Sequence, residues 1–160
     1  MRSNAGYTLI EVIVVVGLIG VVTATAVPVF LESNARNRLW TGSEQIGAAV
    51  RQARLKAIST NTSYRVVFDC PSANELRTLV VDGTIDDEGR CSQTVEGDTG
   101  TIELPTGVGF DAGEATFLEV NSRGVFSGAS IPLTITVTHG SSVRTVDVSI
   151  TGQISFGNVE

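Results

Sequence analysis

The chain has 160 residues, a formal net charge of −6 and a sequence pI of about 4.7, which describes one acidic domain with room for a terminal extension. An acidic balance argues against non-specific nucleic-acid binding, because such binding needs Lys and Arg to replace the counterions of the phosphates. Lys56 is the single lysine and the sequence has no basic run, so we expect no nucleic-acid partner.

A run without charged residues dominates the N-terminus, from residue 12 to residue 31. At about twenty residues it is long enough to cross a bilayer as a helix. One carboxylate, Glu11, stands directly before this run, behind a short polar leader of residues 1–6. Moving that charge to the bilayer centre would cost on the order of 2.5–3.5 kcal/mol, so its presence calls for a partner or a function.

Three interpretations of this N-terminus compete. In a cleaved secretory signal, Arg2 supplies the basic region, residues 12–22 the apolar region, and residues 24–26 the small-residue cleavage site. In a plain membrane anchor, the positive-inside bias holds Arg2 in the cytoplasm. In a prepilin-type signal, cleavage falls after Gly6 and the apolar helix stays in the mature protein. The third interpretation accounts for the largest number of residues.

Residues 6–11, with the sequence GYTLIE, closely resemble the cleavage motif of type IV pilins and type II secretion pseudopilins. The resemblance implies that a prepilin peptidase cuts after Gly6 and N-methylates Tyr7, where the family more often has Phe. It also implies that Glu11 neutralises the N-terminal amine of a neighbouring subunit, and a paired carboxylate costs far less in a bilayer than a lone one. Pro28 is similar in position to the family's helix proline, and its missing N–H predicts a kink.

After residue 31 the periodicity predicts a helix to about Ser59, with Asn61 as the stop because it tolerates left-handed geometry. Trp40 either caps the apolar stripe of this helix or lies at a subunit contact, and of the two core packing is the preferred interpretation. Gly17 and Gly20 lie on one side of the span, where they serve either close helix packing or no special purpose. One apolar stripe is expected to pack on the following domain, and it consists of Leu39, Ile46, Val50, Ala53 and Ala57.

From Ser63 onward the pattern alternates and turn residues are frequent, which predicts antiparallel strands. The hairpin of residues 133–139 and 143–150 is the clearest of them. A short strand is also predicted at residues 91–95. The other predicted strands are 64–69, 76–81, 101–104, 116–120 and 154–156. One long helix followed by antiparallel strands is an α+β chain.

Cys70 and Cys91 are the two cysteines of the chain. An N-terminal span that exports the remainder of the chain would put both in an oxidising compartment, which favours one disulfide over two free, partly buried thiols. The bond would close a loop of about twenty residues, worth roughly 3 kcal/mol in the chain-entropy model.

Neither catalysis nor metal binding has a strong signature. His139 is the single histidine, and no nucleophile-elbow motif accompanies it. We therefore predict no enzyme, no catalytic residue, no cofactor and no metal. The alternative is calcium in an acidic loop whose spacing does not fit an EF-hand, formed by Asp82, Asp86, Asp87 and Glu88.

Two later stretches, residues 48–68 and 146–155, resemble the helix-to-strand passage and the closing strands of the GspH/FimT group of minor pseudopilins. The resemblance implies a minor pseudopilin of a type II secretion pseudopilus. The alternative is a minor type IV pilin that primes pilus assembly or acts in DNA uptake or adhesion at the tip. The implied partners are other pilins or pseudopilins, the prepilin peptidase and the inner-membrane assembly platform.

The implied organisation has four parts: a cleaved leader at 1–6, a transmembrane and filament-core helix at 7–31, an amphipathic continuation at 32–61 and a periplasmic β-rich domain at 62–160. The precursor would cross the bacterial inner membrane once. After cleavage it would enter a periplasmic pseudopilus or a pilus.

Overall fold

The structure is a computed structural model that describes residues 8–81, 83, 90–93, 95–113, 116–127 and 131–159, the side chains of residues 28 and 29 excepted. Gly6, Tyr7 and the acidic residues of the loop at 82–88 lie outside the described residues. Two compact units divide the chain, Met1–Ala35 and Arg36–Glu160, and one helix, α1 (Leu9–Thr60), contributes to both.

In the first unit, α1 exposes its apolar residues on every side. Its large side chains, among them Leu18, Ile19 and Val21, are between 49% and 78% exposed. The polar groups of this stretch are satisfied locally, because the hydroxyls of Thr23 and Thr25 donate to carbonyls one turn earlier. The helix thus leaves few polar groups to interrupt its apolar surface.

In the second unit, α1 packs its apolar stripe against the later strands. All five predicted stripe residues are buried, and Leu39, Ile46 and Val50 have no exposed surface. The helix ends at Thr60, and Asn61 has a φ of 54°, as the stop signal predicted. The assignment of Trp40 to the core was wrong, since its side chain is 51% exposed.

The strands described after α1 form two antiparallel sheets. The first is five-stranded in the order β3-β2-β1-β5-β6 and contains β1 (Tyr64–Phe68), β2 (Glu75–Val80), β3 (Ile102–Glu103), β5 (Phe117–Val120) and β6 (Phe126–Ser127). The second is four-stranded in the order β4-β7-β8-β9 and contains β4 (Gly109–Asp111), β7 (Leu133–His139), β8 (Ser142–Val148) and β9 (Ile154–Phe156).

Alternation places one face of each sheet in the core. In β7 the residues Leu133, Ile135 and Val137 are buried, and Val146 and Val148 of the paired β8 are buried beside them. The same cluster contains the stripe of α1 and the inner residues of β1, β2 and β5. The predicted hairpin is confirmed, with Gly140 at a φ of 61° in its turn.

One predicted strand is wrong and two short ones were missed. Cys91 and Ser92 lie in a turn, and Gln93 and Val95 are not in a strand. Side-chain contacts fix this segment where a strand would have backbone hydrogen bonds. The Asp98 carboxylate accepts a hydrogen bond from the N–H of Val95. Strands β4 and β6 have only three and two residues, too few for alternation to be recognised.

Candidate functional site

Glu11 lies in the first turn of α1 with its side chain exposed. Its backbone N–H donates to Thr8 Oγ1 at 3.3 Å, which makes Thr8 the N-cap of the helix. A carboxylate in the first turn also interacts favourably with the helix dipole. Sequence reasoning missed Thr8, although the spacing Thr-x-x-Glu is the sequence signature of a capping box.

Beyond Glu11, the helix offers a continuous apolar surface. Glu11, Val12, Val15 and Val16 line a shallow apolar groove along it. The most apolar 18-residue window of α1 has a mean hydropathy of 2.6 and is not buried in the molecule, so by length and composition α1 can cross a membrane. Exposed apolar surface of this extent marks a membrane or a protein contact.

Small residues lie within this surface. Around Gly17 and Gly20 the space that a side chain would fill is open, so another helix has room to approach both backbones closely. Helix α1 continues through Pro28, and the kink there stays a prediction.

The second unit holds the predicted disulfide. Cys70 and Cys91 are joined, with their Cα atoms 5.1 Å apart, and Cys70 is completely buried. The bond ties the turn after β1 to the segment that comes after β2, as the sequence predicted. The carbonyl of Cys91 also accepts a hydrogen bond from Arg77 Nη1 at 2.9 Å, which fixes the same segment from the sheet side.

A buried charge cluster lies next to the disulfide. The Asp98 carboxylate is 1% exposed and lies 3.1 Å from Arg90 Nη2 and 3.9 Å from Arg77 Nη2. It also accepts hydrogen bonds from the N–H groups of Val80 and Val95, at 2.9 and 3.2 Å. Buried charges need such partners, so the cluster anchors the segment from Arg90 to Thr99. Sequence reasoning missed it because its members come from separate elements.

His139 contacts the backbone of the turn before β4. Its Nδ1 lies 2.7 Å from the carbonyl oxygen of Gly107, a distance that fits donation by Nδ1–H. Within the described ranges no group of three or more His, Cys, Asp or Glu side chains could hold a metal ion.

Comparison with known proteins gives three results. The prokaryotic N-terminal methylation motif matches residues 1–27. The chain is 27% identical over 126 residues to a fimbrial protein of Pseudomonas aeruginosa, an alignment that covers 72% of this chain and 75% of that protein. The fold matches the crystal structure of the type IV minor pilin FimU of Pseudomonas aeruginosa (strain PAO1), with a TM-score of 0.58 and 14% identity over 77% of this chain and 90% of that chain.

A further solved structure, the minor pseudopilin EpsH from the Type 2 Secretion System of Vibrio cholerae, aligns with a TM-score of 0.49 and 20% identity, covering 71% of this chain and 91% of that chain.

The motif match falls on the segment where the sequence predicts a prepilin signal, and it includes Gly6, Tyr7 and Glu11. The long helix followed by antiparallel sheets matches the fold of FimU, which confirms the predicted fold class. The chain therefore carries a prokaryotic N-terminal methylation motif at residues 1–27 and has the fold of the minor pilin FimU.

Proposed function

We propose that the chain is a minor subunit of a type IV pilin-like filament. The observation that carries the proposal is the apolar, exposed first half of α1 directly behind the methylation motif at residues 1–27. Such a surface is unfavourable in water, at about 25 cal/mol for each Å² of apolar area. Lipid covers it before assembly, and the helices of neighbouring subunits cover it in the filament.

In this proposal the precursor is cut after Gly6, and Tyr7 becomes the methylated first residue. Glu11 is then five residues into the mature chain, where its carboxylate pairs with the N-terminal amine of the neighbouring subunit. Pairing lowers the cost of holding a charge at the edge of an apolar environment. Pro28 bends the helix where the span ends.

The precursor spans the bacterial inner membrane once, with the β-rich domain on the periplasmic side. The disulfide between Cys70 and Cys91 supports this location, because disulfides persist in oxidising compartments. The parts are the leader at 1–6, the span at 7–31, the amphipathic continuation at 32–61 and the periplasmic domain at 62–160. The partners are other pilins or pseudopilins, the prepilin peptidase and the inner-membrane assembly platform, and the chain itself is no enzyme.

Two kinds of filament can contain such a subunit. The resemblance of residues 48–68 and 146–155 to the GspH/FimT group supports a type II secretion pseudopilus. The identity of 27% over 126 residues to a fimbrial protein supports a type IV pilus. A strain that lacks this chain separates the two: a pseudopilin defect blocks export of secreted proteins and leaves surface pili intact, whereas a minor-pilin defect lowers the number of pili.

The role of Glu11 is tested with two variants of the full chain. Glu11→Val removes the carboxylate, so we expect normal membrane insertion and loss from the sheared filament fraction. Thr8→Ala is the matched control, because it removes the N-cap, worth about 1 kcal/mol, and keeps the carboxylate. We expect Thr8→Ala to assemble.

The comparison has two outcomes that contradict the proposal. If Glu11→Val enters filaments as the unmodified chain does, amine pairing is not the function of Glu11. If Thr8→Ala is lost to the same degree as Glu11→Val, the carboxylate acts through the helix terminus alone.

A further inference from the structure

The two cysteines of the disulfide have different surroundings. Cys70 has no exposed surface and lies in a small buried cluster with Val67 and Leu79. Cys91 is partly exposed and packs at the edge of that cluster. A molecule that arrives from solvent therefore reaches the bond from the Cys91 side, because the Cys70 side is closed by the core.

A hollow of about 370 Å³ opens beside Cys91. Its lining includes Cys91, the buried Arg77 and the exposed residues Ser92 and Gly100. Among the described residues, none fills the space that a side chain at Gly100 would occupy, so this wall leaves room for another molecule. The volume of the hollow is in the range of sites that hold small ligands. A sulfur-containing group from another molecule can therefore enter beside Cys91.

The charge next to Cys91 favours its thiolate form when the bond is open. Arg77 Nη1 donates to the carbonyl of Cys91 at 2.9 Å, which puts a guanidinium beside this residue. In the buried charge cluster Arg77 and Arg90 share one carboxylate, that of Asp98, so positive charge is in excess. A neighbouring cation stabilises a thiolate, which is the form that attacks a disulfide, whereas apolar surroundings such as those of Cys70 disfavour it.

Contacts other than the disulfide hold the segment that carries Cys91. Besides the buried charge cluster, the N–H of Thr99 donates to the carbonyl of Thr78 in β2 at 2.9 Å, and the N–H of Thr78 donates to Thr99 Oγ1 at 3.1 Å. Lys56 of α1 donates to the carbonyl of Gly97. None of these contacts needs a bond between the sulfur atoms, so they keep Cys91 near its partner cysteine before the bond forms.

We propose that Cys91 is the entry cysteine of this disulfide, the one that reacts with an external disulfide oxidant, and that Cys70 is the resolving cysteine. The Cys91 thiolate attacks the disulfide of the oxidant in the hollow. A mixed disulfide forms at Cys91 Sγ, and the first sulfur of the oxidant leaves as a thiolate.

The second step closes the bond within the chain. Cys70 loses its proton, and its thiolate attacks Cys91 Sγ. The bond between Cys91 and the oxidant breaks, and the second sulfur of the oxidant leaves as a thiolate. Two thiols of the chain are thereby oxidised to one disulfide, the disulfide of the oxidant is reduced to two thiols, and the protons released by the chain balance those that the oxidant takes up.

Two single-cysteine variants of the full chain in detergent test the order of reaction. Cys70→Ala leaves the thiol of Cys91, and Cys91→Ala leaves the thiol of Cys70. Both variants lack the bond, so each is the matched control of the other. The probe is glutathione disulfide, and mass spectrometry follows the mixed disulfide with time.

We expect the Cys91 thiol of the folded chain to react on the order of a hundredfold faster than the Cys70 thiol, because a buried thiol reacts only when the structure opens locally. In urea the two thiols should react at similar rates. Equal rates in the folded chain, or a faster reaction of Cys70, would overturn the proposal. A cooperative urea transition shows that each variant is folded.

The unmodified chain gives the same test without a substitution. Reduced glutathione is added to the oxidised chain, the exchange is stopped with acid, and the site of the attached glutathione is mapped. We expect the glutathione on Cys91, since its sulfur is the one that solvent reaches. Glutathione mainly on Cys70 would overturn the proposal even if a single-cysteine variant failed to fold.

The source of the oxidising disulfide is tested with a second probe, an oxidised thioredoxin-fold protein. A disulfide-linked complex with the Cys70→Ala chain, and not with the Cys91→Ala chain, supports entry at Cys91 with a protein as the oxidant. A mixed disulfide of Cys91 with glutathione alone supports the same entry with a small molecule as the oxidant. A complex with the Cys91→Ala chain alone would overturn the proposal.

The resolving step tests the contacts of the segment. In the reduced chain with both cysteines, Asp98→Asn removes the charge that both arginines share, so Cys70 should attack Cys91 more slowly. We expect the mixed disulfide of Cys91 with glutathione to accumulate about tenfold above its level in the unmodified chain. The matched control is Glu96→Gln, since Glu96 is exposed on the same segment, and we expect no change there.

Equal accumulation in Asp98→Asn and Glu96→Gln would contradict the resolving step, because the segment would then not be held before the bond forms. The proposal uses residues of Arg36–Glu160 alone, so none of these results bears on cleavage at Gly6 or on the role of Glu11.

Discussion

The two halves of α1 have the same secondary structure and opposite surroundings. Before residue 36 every large apolar side chain described is about half exposed or more, whereas after it Leu39, Ile46 and Val50 are fully buried. A helix that is apolar all round needs lipid or other helices around it. A helix with a single apolar stripe needs only one surface to pack against. The second half therefore contributes its apolar residues to the core of the domain, and in our proposal the first half is the assembly surface.

The largest expected effect comes from removing the first half of α1 from the rest of the chain. Removal of residues 1–35 should move the chain from the membrane fraction to the aqueous fraction, because it removes the continuous apolar surface of the first half of α1. The remaining unit, Arg36–Glu160, contains every residue of the main buried cluster, so it should still unfold cooperatively. Fractionation and chemical unfolding measure the two effects. A fragment without a cooperative transition would show that the second unit depends on the first.

The same substitution in each half should give different results. Ile46→Ala removes a fully buried side chain and should lower the free energy of unfolding by about 2–5 kcal/mol. Ile19→Ala is the matched control, since Ile19 is 59% exposed, and it should change that free energy by less than about 0.5 kcal/mol. Urea unfolding of the detergent-solubilised chain measures both. Equal losses would contradict the division between the halves.

The disulfide should contribute about 3 kcal/mol to the second unit, because it restricts the unfolded chain. The double variant Cys70→Ala and Cys91→Ala should lose that free energy of unfolding without any change in membrane insertion. Dithiothreitol should shift the urea midpoint of the unmodified chain and leave that of the double variant unchanged. A midpoint insensitive to reduction in the unmodified chain would contradict the bond's contribution.

The smallest effect is expected from a surface ion pair. Arg65 Nη2 and Glu119 Oε2 are 2.9 Å apart on neighbouring strands, with side chains 15% and 27% exposed. Glu119→Gln should lower the free energy of unfolding by at most about 1 kcal/mol, and less at high salt. Glu44→Gln, on the exposed face of α1, is the control. A loss comparable to that of Ile46→Ala would mean that charges and not the core stabilise the unit.

Sequence periodicity predicted the elements whose residues lie next to each other along the chain. The stripe from Leu39 to Ala57, the stop at Asn61 and the β7–β8 hairpin result from local spacing and turn chemistry, and the structure confirms them. The resemblance of residues 6–11 to a prepilin motif agrees with the motif match at residues 1–27.

Features set by contacts between distant elements were not predictable in this way. Trp40 comes directly after a core residue on α1, yet its ring stacks on Arg144 of β8, 3.8 Å from the guanidinium carbon, and keeps half its surface exposed. A strand was predicted at residues 91–95, but hydrogen bonding to Asp98 and the disulfide hold this part of the chain instead. Neither contact leaves a periodic signal in the sequence.

The mass of the mature chain isolated from membranes tests the central claim most directly. If the chain is a processed pilin-like subunit, its N-terminal peptide begins at Tyr7, carries one added methyl group and retains the whole of α1. A chain that begins at Val27, after the small residues at 24–26, would contradict the claim, because the apolar assembly surface would then be absent from the mature protein.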